Sequence, residues 1–419
     1  MKRVAIAAGI VGLVLSSAAC GASVSTGGSG PAAPQVTVTL PTPAAPANGK
    51  PLRIFFFNEE GASAAASSPE SFQAAEAAVN YVNKNLGGVH GRPLEIEHCA
   101  TLGTPESVTN CANKAVDAKP DVVIKGVEVA SATAVPIIAS AGLPYITLNA
   151  GDPAELTNPN SFVLSAGFAA QMAPVAAYAK EKGYKSVGAI YTNVPSLSTA
   201  LDGTVSKLFA QEGINYVSSP VASSTGDLTP AYSALLAKKV DAVFVVTSAG
   251  QCAATLKARQ SLADTHPLFM SSSCNVASVL STVSPSVVDG TNFALLDTSA
   301  VTDDKDTQTY LAAMHTYSPA ADVGSFAPTS FSAIMDFYQA MMTAPDPQAL
   351  DAASIIKTLR ATQNVPLFMG GEKQFGCATK YFAKSPSVCT GWAFLASYKG
   401  GKYALVNAYD SATLLKGIA

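Results

Sequence analysis

The chain has 419 residues, of which 48% are hydrophobic and 13% charged, and its formal net charge at pH 7 is −3. This composition allows a large buried core and excludes a disordered chain, since disordered chains are poor in apolar residues and rich in charge. The slightly negative chain also lacks the basic excess that binds nucleic acid, so we expect no nucleic-acid partner.

The first 20 residues have the pattern of an export signal. A basic start precedes the apolar stretch 4–15, and such a segment is excluded from fold reasoning. The string Ser17-Ala18-Ala19-Cys20 resembles the bacterial lipobox, in which the cysteine is lipidated and becomes the mature N-terminus. Ser17 departs from that pattern, which prefers Leu, so ordinary cleavage with Cys20 as a bystander stays an alternative. No later apolar run reaches the roughly 18 residues of a membrane span.

The stretch 21–50 is rich in Gly, Ser, Pro, Thr and Ala and has no hydrophobic period. Such a composition is typical of a flexible tether. A membrane anchor needs a spacer of this kind, and we therefore expect a lipoprotein signal peptide at 1–20 and a tether at 21–50.

Strand and helix patterns then alternate along the chain. The stripe Ala75, Val79, Val82 and Leu86 marks one face of a helix, and Gly87-Gly88 ends it. This alternation predicts parallel sheets with right-handed crossovers. Strands are predicted at 52–57, 94–97, 121–124, 144–147, 161–164, 186–191, 214–218, 241–246, 267–270, 291–296, 392–398 and 403–408. Further helices are predicted at 105–118, 133–141, 171–182, 197–212, 304–316, 330–343 and 350–362, with one more reaching Lys239.

One string within this region resembles a known family. Ala78-Val79-Asn80, followed by residues 87–95 (GGVHGRPLE), resembles the opening of type I periplasmic binding proteins, and most of all the leucine/isoleucine/valine-binding branch of ABC-transporter solute receptors. The resemblance covers about residue 51 to the C-terminus. It implies two doubly wound parallel-sheet α/β lobes, joined by a three-strand hinge, with ligand between them. Lobe one would be 51–165 plus 297–362, and lobe two 166–296 plus 363–419.

Seven cysteines are present, and without Cys20 six remain, an even number that suits an exported protein. Six cysteines allow fifteen connectivities, among which the sequence cannot choose. Local pairing is the most economical arrangement, and it gives Cys99–Cys111, Cys252–Cys274 and Cys377–Cys389. No couple has C-x-x-C spacing and the four histidines are scattered, so we expect no metal site.

The resemblance also implies where ligand binds in lobe one. Ser131-Ala132-Thr133 matches the family's hydroxyl-rich turn after the third strand, where hydroxyls and helix N-terminal amides hold a ligand carboxylate. A plain helix N-cap explains the same residues equally well. Asn149-Ala150-Gly151 matches the small polar turn after strand four, for which an ordinary loop is nearly as good an explanation.

In lobe two, Tyr191-Thr192 follows a strand, where the family commonly places an aromatic side chain against the ligand. Tyr191 could instead complete the core. Ser248-Ala249 lies where the next strand meets its helix. The family's acidic partner for a ligand amino group is missing near Ser248, which puts an α-amino acid ligand in doubt. Four acids lie in loops at predicted strand ends and could pair an ammonium, although most such residues are merely solvated: Glu59, Glu60, Glu128 and Asp152.

The sequence contains no G-x-S-x-G, P-loop, H-E-x-x-H or dinucleotide-binding glycine motif. We therefore predict a protein that is not an enzyme and needs no cofactor. The predicted function is an extracytoplasmic solute-binding lipoprotein, anchored to the cell membrane and monomeric. It would capture a small polar or amphipathic, amino-acid-like molecule and deliver it to an ABC permease. The alternative is a ligand-sensing or envelope interaction protein that uses the same fold without transport.

Overall fold

A computed structural model describes residues 38–61, 67–301 and 303–418. The predicted signal peptide, Cys20 and the first part of the tether lie outside these described residues. Among the helices of the described ranges, none combines the length and apolarity that crossing a membrane requires.

Strands and helices alternate as predicted, and the strands fall into two large sheets. The strands are β1 (Leu52–Glu59), β2 (Leu94–Thr101), β3 (Val122–Lys125), β4 (Tyr145–Thr147), β5 (Ser161–Val163), β6 (Ser186–Thr192), β7 (Asn215–Val221), β8 (Ala242–Val246), β9 (Leu268–Ser271), β10 (Asn292–Leu295), β11 (Val365–Pro366), β12 (Gln374–Phe375), β13 (Trp392–Lys399) and β14 (Lys402–Asp410). The helices are α1 (Pro69–Asn85), α2 (Pro105–Ala118), α3 (Ala134–Ser140), α4 (Pro153–Thr157), α5 (Phe168–Glu181), α6 (Pro195–Ser198), α7 (Ser206–Gln211), α8 (Thr229–Leu236), α9 (Ala249–Ser261), α10 (Ala277–Leu280), α11 (Pro285–Val288), α12 (Lys305–Tyr317), α13 (Ala327–Met341), α14 (Ala352–Ala361) and α15 (Ser411–Leu414).

The first sheet has five parallel strands in the order β2-β1-β3-β4-β5. The second has seven strands in the order β14-β13-β10-β9-β8-β6-β7. Its inner strands are parallel, while β13 runs antiparallel to β10 and forms a hairpin with β14. The predicted α/β fold of two mainly parallel lobes is therefore confirmed, and the antiparallel hairpin closes one edge of the second sheet.

Strand β1 shows why the first sheet is buried on both faces. Leu52, Ile54 and Phe56 belong to the core beneath α1, α12 and α13. Phe55 and Phe57 belong to a separate core beneath α2 and α3. Because successive side chains of a strand point to opposite faces, a sheet covered on both sides requires a continuous apolar run.

The chain passes between the two sheets after β5, after β10 and before β13. Two of these crossings pair with each other, since the Val163 amide donates to the Ser387 carbonyl at 2.9 Å and the Cys389 amide donates to the Val163 carbonyl at 2.8 Å. The last lobe-two segment was predicted to start at residue 363, but the residues that follow pack against the first sheet. Val365 and Phe375 lie in the core of the first sheet, so by packing the last crossing lies near Cys389.

The end of the predicted tether is not free. Leu40 packs against the core of the first sheet. The Asn85 side chain donates to the Pro41 carbonyl at 2.7 Å, and the Gly49 amide donates to the Gly91 carbonyl at 2.9 Å. A chain without hydrophobic period can still lie extended along a helix end, where its backbone groups find partners. From about Leu40 onward, the stretch is part of the first lobe.

The string that carries the family resemblance has a structural role. Arg92 is 3% exposed. Its guanidinium donates to the carbonyls of Lys50 at 2.7 Å, Pro51 at 3.1 Å and Leu350 at 2.9 Å. Gly88 precedes it at φ +74, and a Cβ there would lie 2.3 Å from the Arg92 carbonyl oxygen. The string therefore shapes the scaffold and touches no part of the cleft described below.

The described part of the chain contains three disulfides. They join Cys99 to Cys111, Cys252 to Cys274 and Cys377 to Cys389. These are the three local pairs that the spacing favoured. Each closes a short loop within its own part of the chain.

Candidate ligand-binding cleft

A cavity of about 270 Å³ lies between the two lobes, at the carboxyl ends of the parallel strands. In sheets of this kind ligands bind outside the carboxyl ends of the strands. The first lobe contributes residues that follow β3 and β4, and the second lobe contributes residues at the ends of β6, β8 and β9. A molecule in this cavity would touch both lobes.

Hydroxyl groups line both walls. On the first wall, Ser131 is 2% exposed and lines the cavity. Within the described part of the chain, its hydroxyl has no hydrogen-bond partner. On the second wall, the turn Ser271–Ser273 is held in place, because Ser273 donates to the Thr247 carbonyl at 2.7 Å and the Gln171 side chain donates to Ser272 at 3.1 Å. These groups can form hydrogen bonds with a polar ligand from two sides.

Four carboxyl groups line the cavity: Glu70, Glu128, Asp152 and Asp322. Glu128 is 4% exposed and accepts hydrogen bonds from the Thr101 hydroxyl and, at 2.8 Å, from the Ala130 amide. Burial raises the pKa of Glu128 to about 7, and burial likewise raises the pKa of Glu70 to about 7. Burial also raises the pKa of Asp152. Among the described residues that line the cavity, none is Lys, Arg or His.

The rest of the wall is apolar. It includes two aromatic rings, Phe168 and Phe326, and a set of small aliphatic side chains. Phe168 opens α5 directly after a crossing, and its amide donates to the Ala150 carbonyl at 2.8 Å. The cavity therefore combines apolar surface with a few polar groups, as small-molecule sites do.

A buried ion pair beneath the cavity fixes the two loops of the first wall. Lys125 ends β3, and its ammonium lies 2.5 Å from a carboxylate oxygen of Glu155 in α4. Lys125 also donates to the Asn149 carbonyl at 2.9 Å. Glu155 accepts from the amides of Gly151 at 3.0 Å and Asp152 at 3.2 Å. These contacts fix the position of the loop after β4 relative to the first sheet.

The segment between α12 and α13 belongs to the first lobe and contacts the second lobe at the mouth of the cavity. The Ser325 amide donates to the Asn275 carbonyl in the second lobe at 3.0 Å. A Cβ on Gly324 would lie 2.4 Å from the same Asn275 oxygen, so only glycine allows the two backbones to approach this closely. Asp322, Ser325 and Phe326 of this segment line the cavity.

The structure brings six of the predicted ligand-binding residues to the cavity wall. They are Ser131, Asn149, Gly151, Thr192, Ser248 and Ala249. Whether they contact a ligand stays a prediction. Of the four loop acids, Glu128 and Asp152 line the cavity, while Glu59 is fully buried and Glu60 pairs with His98 at 2.9 Å.

The other four predicted residues lie elsewhere. Ala132 is exposed on the outer side of its turn, and the Thr133 hydroxyl donates to the Pro105 carbonyl at 3.4 Å. Ala150 is buried beneath the loop. Tyr191 points into the core of the second lobe, where its hydroxyl donates to Asp202 at 2.5 Å. Neighbouring strand residues face opposite sides, so Thr192 reaches the cavity and Tyr191 cannot.

Sequence reasoning missed Glu70, the serines of Ser271–Ser273 and the segment 322–326. The three consecutive serines directly after a buried strand were a usable signal, since polar groups at a strand's carboxyl end are candidates for ligand contact. Glu70 in the first turn of α1 and the segment 322–326 gave no such signal, because only the fold brings them to the cleft. No cluster of three or more metal-binding side chains occurs in ranges 38–61, 67–301 and 303–418.

Comparison with known proteins agrees with this architecture. The sequence profile of a family described as "Periplasmic binding protein" matches residues 55–386. The chain belongs to the periplasmic binding protein family. This family is extracytoplasmic and consists of substrate-binding proteins. No curated protein sequence matches the chain significantly.

Several solved structures of solute- and substrate-binding proteins share the fold at low sequence identity. A fatty acid ABC transporter substrate-binding protein from Thermomonospora curvata has a TM-score of 0.73 at 18% identity, covering 91% of this chain and 98% of its own. The leucine-binding protein LivK from Thermotoga maritima has a TM-score of 0.69 at 15% identity, covering 86% and 99%. A solute-binding protein from R. palustris, in complex with benzoate, has a TM-score of 0.70 at 17% identity, covering 85% and 96%. These three proteins are described with different ligands, and at such low identity the likeness shows a shared fold alone.

Proposed function

We propose that this protein is a lipid-anchored extracytoplasmic receptor that captures a small polar or amphipathic solute between its lobes and delivers it to an ABC permease. The observation that carries the proposal is the cavity of about 270 Å³ with walls from both lobes. A ligand that touches both lobes favours the closed arrangement, because its contacts with one lobe are lost on opening. Membership of the periplasmic binding protein family supports the binding role.

The proposal assigns ligand contact to residues on both walls. Ser131 offers a hydroxyl without a partner among the described residues from the first lobe, and Ser248 and the turn Ser271–Ser273 line the cavity from the second. Asn149, Gly151, Thr192 and Ala249 complete the set of predicted contacts. Binding without chemical change is in keeping with the periplasmic binding protein family, which consists of substrate-binding proteins.

A thermal-shift screen of the full-length protein in mild detergent tests the binding role. Amino acids, amides, amines, sugars and aromatic acids would be supplied at increasing concentration. A ligand that binds only the folded state raises the melting temperature with concentration. Ser131→Ala should weaken the response to a hit while leaving the unliganded melting temperature unchanged, and Ser140→Ala, on α3 away from the cavity, serves as its control. The proposal fails if no compound class shifts the melting temperature.

Mass spectrometry tests the anchor. A lipidated Cys20 would give a mature chain that begins at this cysteine and carries the mass of acyl chains. A Cys20→Ala variant should then leave the membrane fraction. A mature chain that begins at another residue, without added mass, would overturn the anchoring part of the proposal.

A further inference from the structure

The charges on the cavity wall all have one sign. Asp322 lies close enough to Glu70 to contribute to its raised pKa, and Glu128 and Asp152 extend the acidic wall along the first lobe. No Lys, Arg or His side chain among the described residues lines the cavity to balance them. Lys125 is near Glu128 and Asp152, yet its ammonium is committed to Glu155 beneath the loops. Glu128 is 4% exposed, and a buried carboxylate without a cationic partner is costly to keep ionised.

A second observation points to a missing ligand. The hydroxyl of Ser131, a residue that is 2% exposed, has no hydrogen-bond partner within the described ranges although it lines the cavity. Buried polar groups in folded proteins are nearly always hydrogen-bonded, so an unpaired hydroxyl in a cavity wall indicates a partner that fills the cavity.

The apolar wall suits a particular kind of cation. Phe168 and Phe326 present aromatic rings to the cavity. Aromatic faces attract alkylated ammonium groups, through the ring quadrupole and through apolar contact. A simple metal ion would leave these rings and the aliphatic side chains without contact.

We propose that the solute held in this cleft is a small organic cation, an amine or quaternary ammonium with an apolar body and one hydrogen-bonding group, and that it lacks a carboxylate. The proposal rests on the solute-binding function proposed above and names its substrate class. The cationic group lies against the carboxyls of Glu70 and Glu128, and the hydrogen-bonding group meets Ser131. A ligand carboxylate would instead face four acidic side chains without a counter-ion.

This arrangement makes binding depend on pH. Glu128 is faced by Glu59, Lys125 and Thr101, and Glu70 by Asp322 and Ser325. Both carboxyls ionise only near neutral pH in the empty cleft, because burial raises their pKa to about 7. A cation binds the ionised form and expels the proton. Its affinity should rise as pH increases from 6 to 8, by up to roughly tenfold per pH unit for each proton released.

Matched compounds test the charge requirement on the full-length protein. Choline, 3,3-dimethylbutan-1-ol and 3,3-dimethylbutanoate share a shape and differ in charge, as do 2-phenylethylamine, 2-phenylethanol and phenylacetate. Thermal shift followed by titration calorimetry should detect binding of the cations and not of the neutral or anionic members. Tighter binding of a neutral, anionic or zwitterionic amino-acid ligand would overturn this inference and leave the receptor function standing. Absence of binding in every class would overturn the receptor function itself.

Two variants and a matched control locate the charge. Glu70→Gln and Glu128→Gln should each weaken binding of the best cation by about tenfold or more, since desolvated charge pairs are strongly coupled. Glu76→Gln changes the net charge equally, but Glu76 is exposed on α1 away from the cavity, so affinity should stay the same. Unchanged affinity in both cavity variants, each shown by circular dichroism to be folded, would overturn the assignment.

Discussion

Lys125 and Glu155 form an ion pair at 2.5 Å with side chains that are 1% and 0% exposed. The further side-chain bonds of this pair are local to the first wall of the cleft. Lys125 donates to the carbonyls of Asn149 at 2.9 Å and Glu128 at 3.5 Å, and Glu155 accepts from the amides of Gly151 and Asp152 and, at 2.7 Å, from the Tyr145 hydroxyl. Removing two charges from water costs free energy, and the attraction within a well-formed pair does little more than offset that cost. The pair therefore matters chiefly because it positions the loop that follows β4.

Breaking this pair from one side should be severe. Lys125→Met leaves the Glu155 carboxylate buried without a counter-ion, and we expect a loss of about 3–5 kcal/mol in the free energy of unfolding. Adding Glu155→Gln should recover part of the loss, because the double variant no longer buries a lone charge. Urea unfolding of the two single variants and the double variant measures this coupling.

The surface pair Lys180–Glu212 is the matched control, since the Lys180 side chain is 63% exposed. Lys180→Met should cost less than about 1 kcal/mol. If Lys125→Met costs no more than Lys180→Met, the buried pair does not organise the wall.

Glu128 should make the stability of the empty protein depend on pH. Burial raises its pKa from the ordinary 4.5 to about 7, so between these values the folded state binds a proton that the unfolded state has lost. Its stabilising contribution is present below pH 4.5 and is lost as the pH rises through 7. Glu128→Gln cannot titrate. Relative to this variant, the wild type should lose on the order of 1 kcal/mol per pH unit across the window.

Urea unfolding at pH 5, 6, 7 and 8 checks this difference. Because other buried acids titrate too, only the comparison between wild type and variant isolates Glu128. Glu106→Gln, which replaces an exposed carboxyl in the first turn of α2, should run parallel to the wild type. If the stability of Glu128→Gln changed with pH in parallel with the wild type, the proton taken up by the folded state would not belong to Glu128.

Gly324 should control how far the lobes close. A methyl group at this position would meet the Asn275 oxygen at 2.4 Å, far inside ordinary contact distance. Gly324→Ala should therefore separate the lobes at the mouth and increase the radius of gyration in small-angle X-ray scattering. In Gly250→Ala the added methyl meets nothing within 4 Å, so its scattering should match the wild type. Identical profiles for both variants would show that the contact between Gly324 and Asn275 does not limit closure.

The segment from Leu40 to Gly49 should contribute to stability. A chain that begins at Pro51 loses the packing of Leu40 and the hydrogen bonds to Lys84 and Gly91. We expect this truncation to lower the free energy of unfolding by about 2 kcal/mol. A chain that begins at Val38 keeps these contacts and should melt like the full chain. Equal melting temperatures for the two truncations would show that the contacts add nothing.

The fold could be predicted because its strands carry a strong signal. A strand such as Val122–Lys125 is buried at every position, and a parallel sheet covered on both faces demands this composition. The antiparallel ribbon of Val365 and Phe375 gave no pattern, because each of its strands has two residues. The tether was misjudged near Leu40, since one apolar residue among prolines shows no period.

The cleft was predictable only in part, because loop position is readable and side-chain direction is not. Residues after β3, β4, β6 and β8 were expected near the ligand from the family resemblance, in agreement with their places at the carboxyl ends of strands. Which residue of each turn faces inward depends on a single residue of register, as the pair Tyr191 and Thr192 shows. Lys125 at the end of a buried strand was a hint of a buried partner, yet nothing in the sequence identified Glu155.

Arg92 has a consequence for the order in which the protein can fold. Its partner Leu350 lies 258 positions further along the chain, and helices α12 and α13, which complete the core over β1, follow the entire parallel portion of the second lobe. A growing or translocating chain thus cannot finish its first lobe before most of its second lobe has emerged. Contacts between such distant segments slow folding, and incomplete chains expose the apolar face of α1 to aggregation. Because the first lobe is built from two separate stretches of the chain, the two lobes complete their folding together.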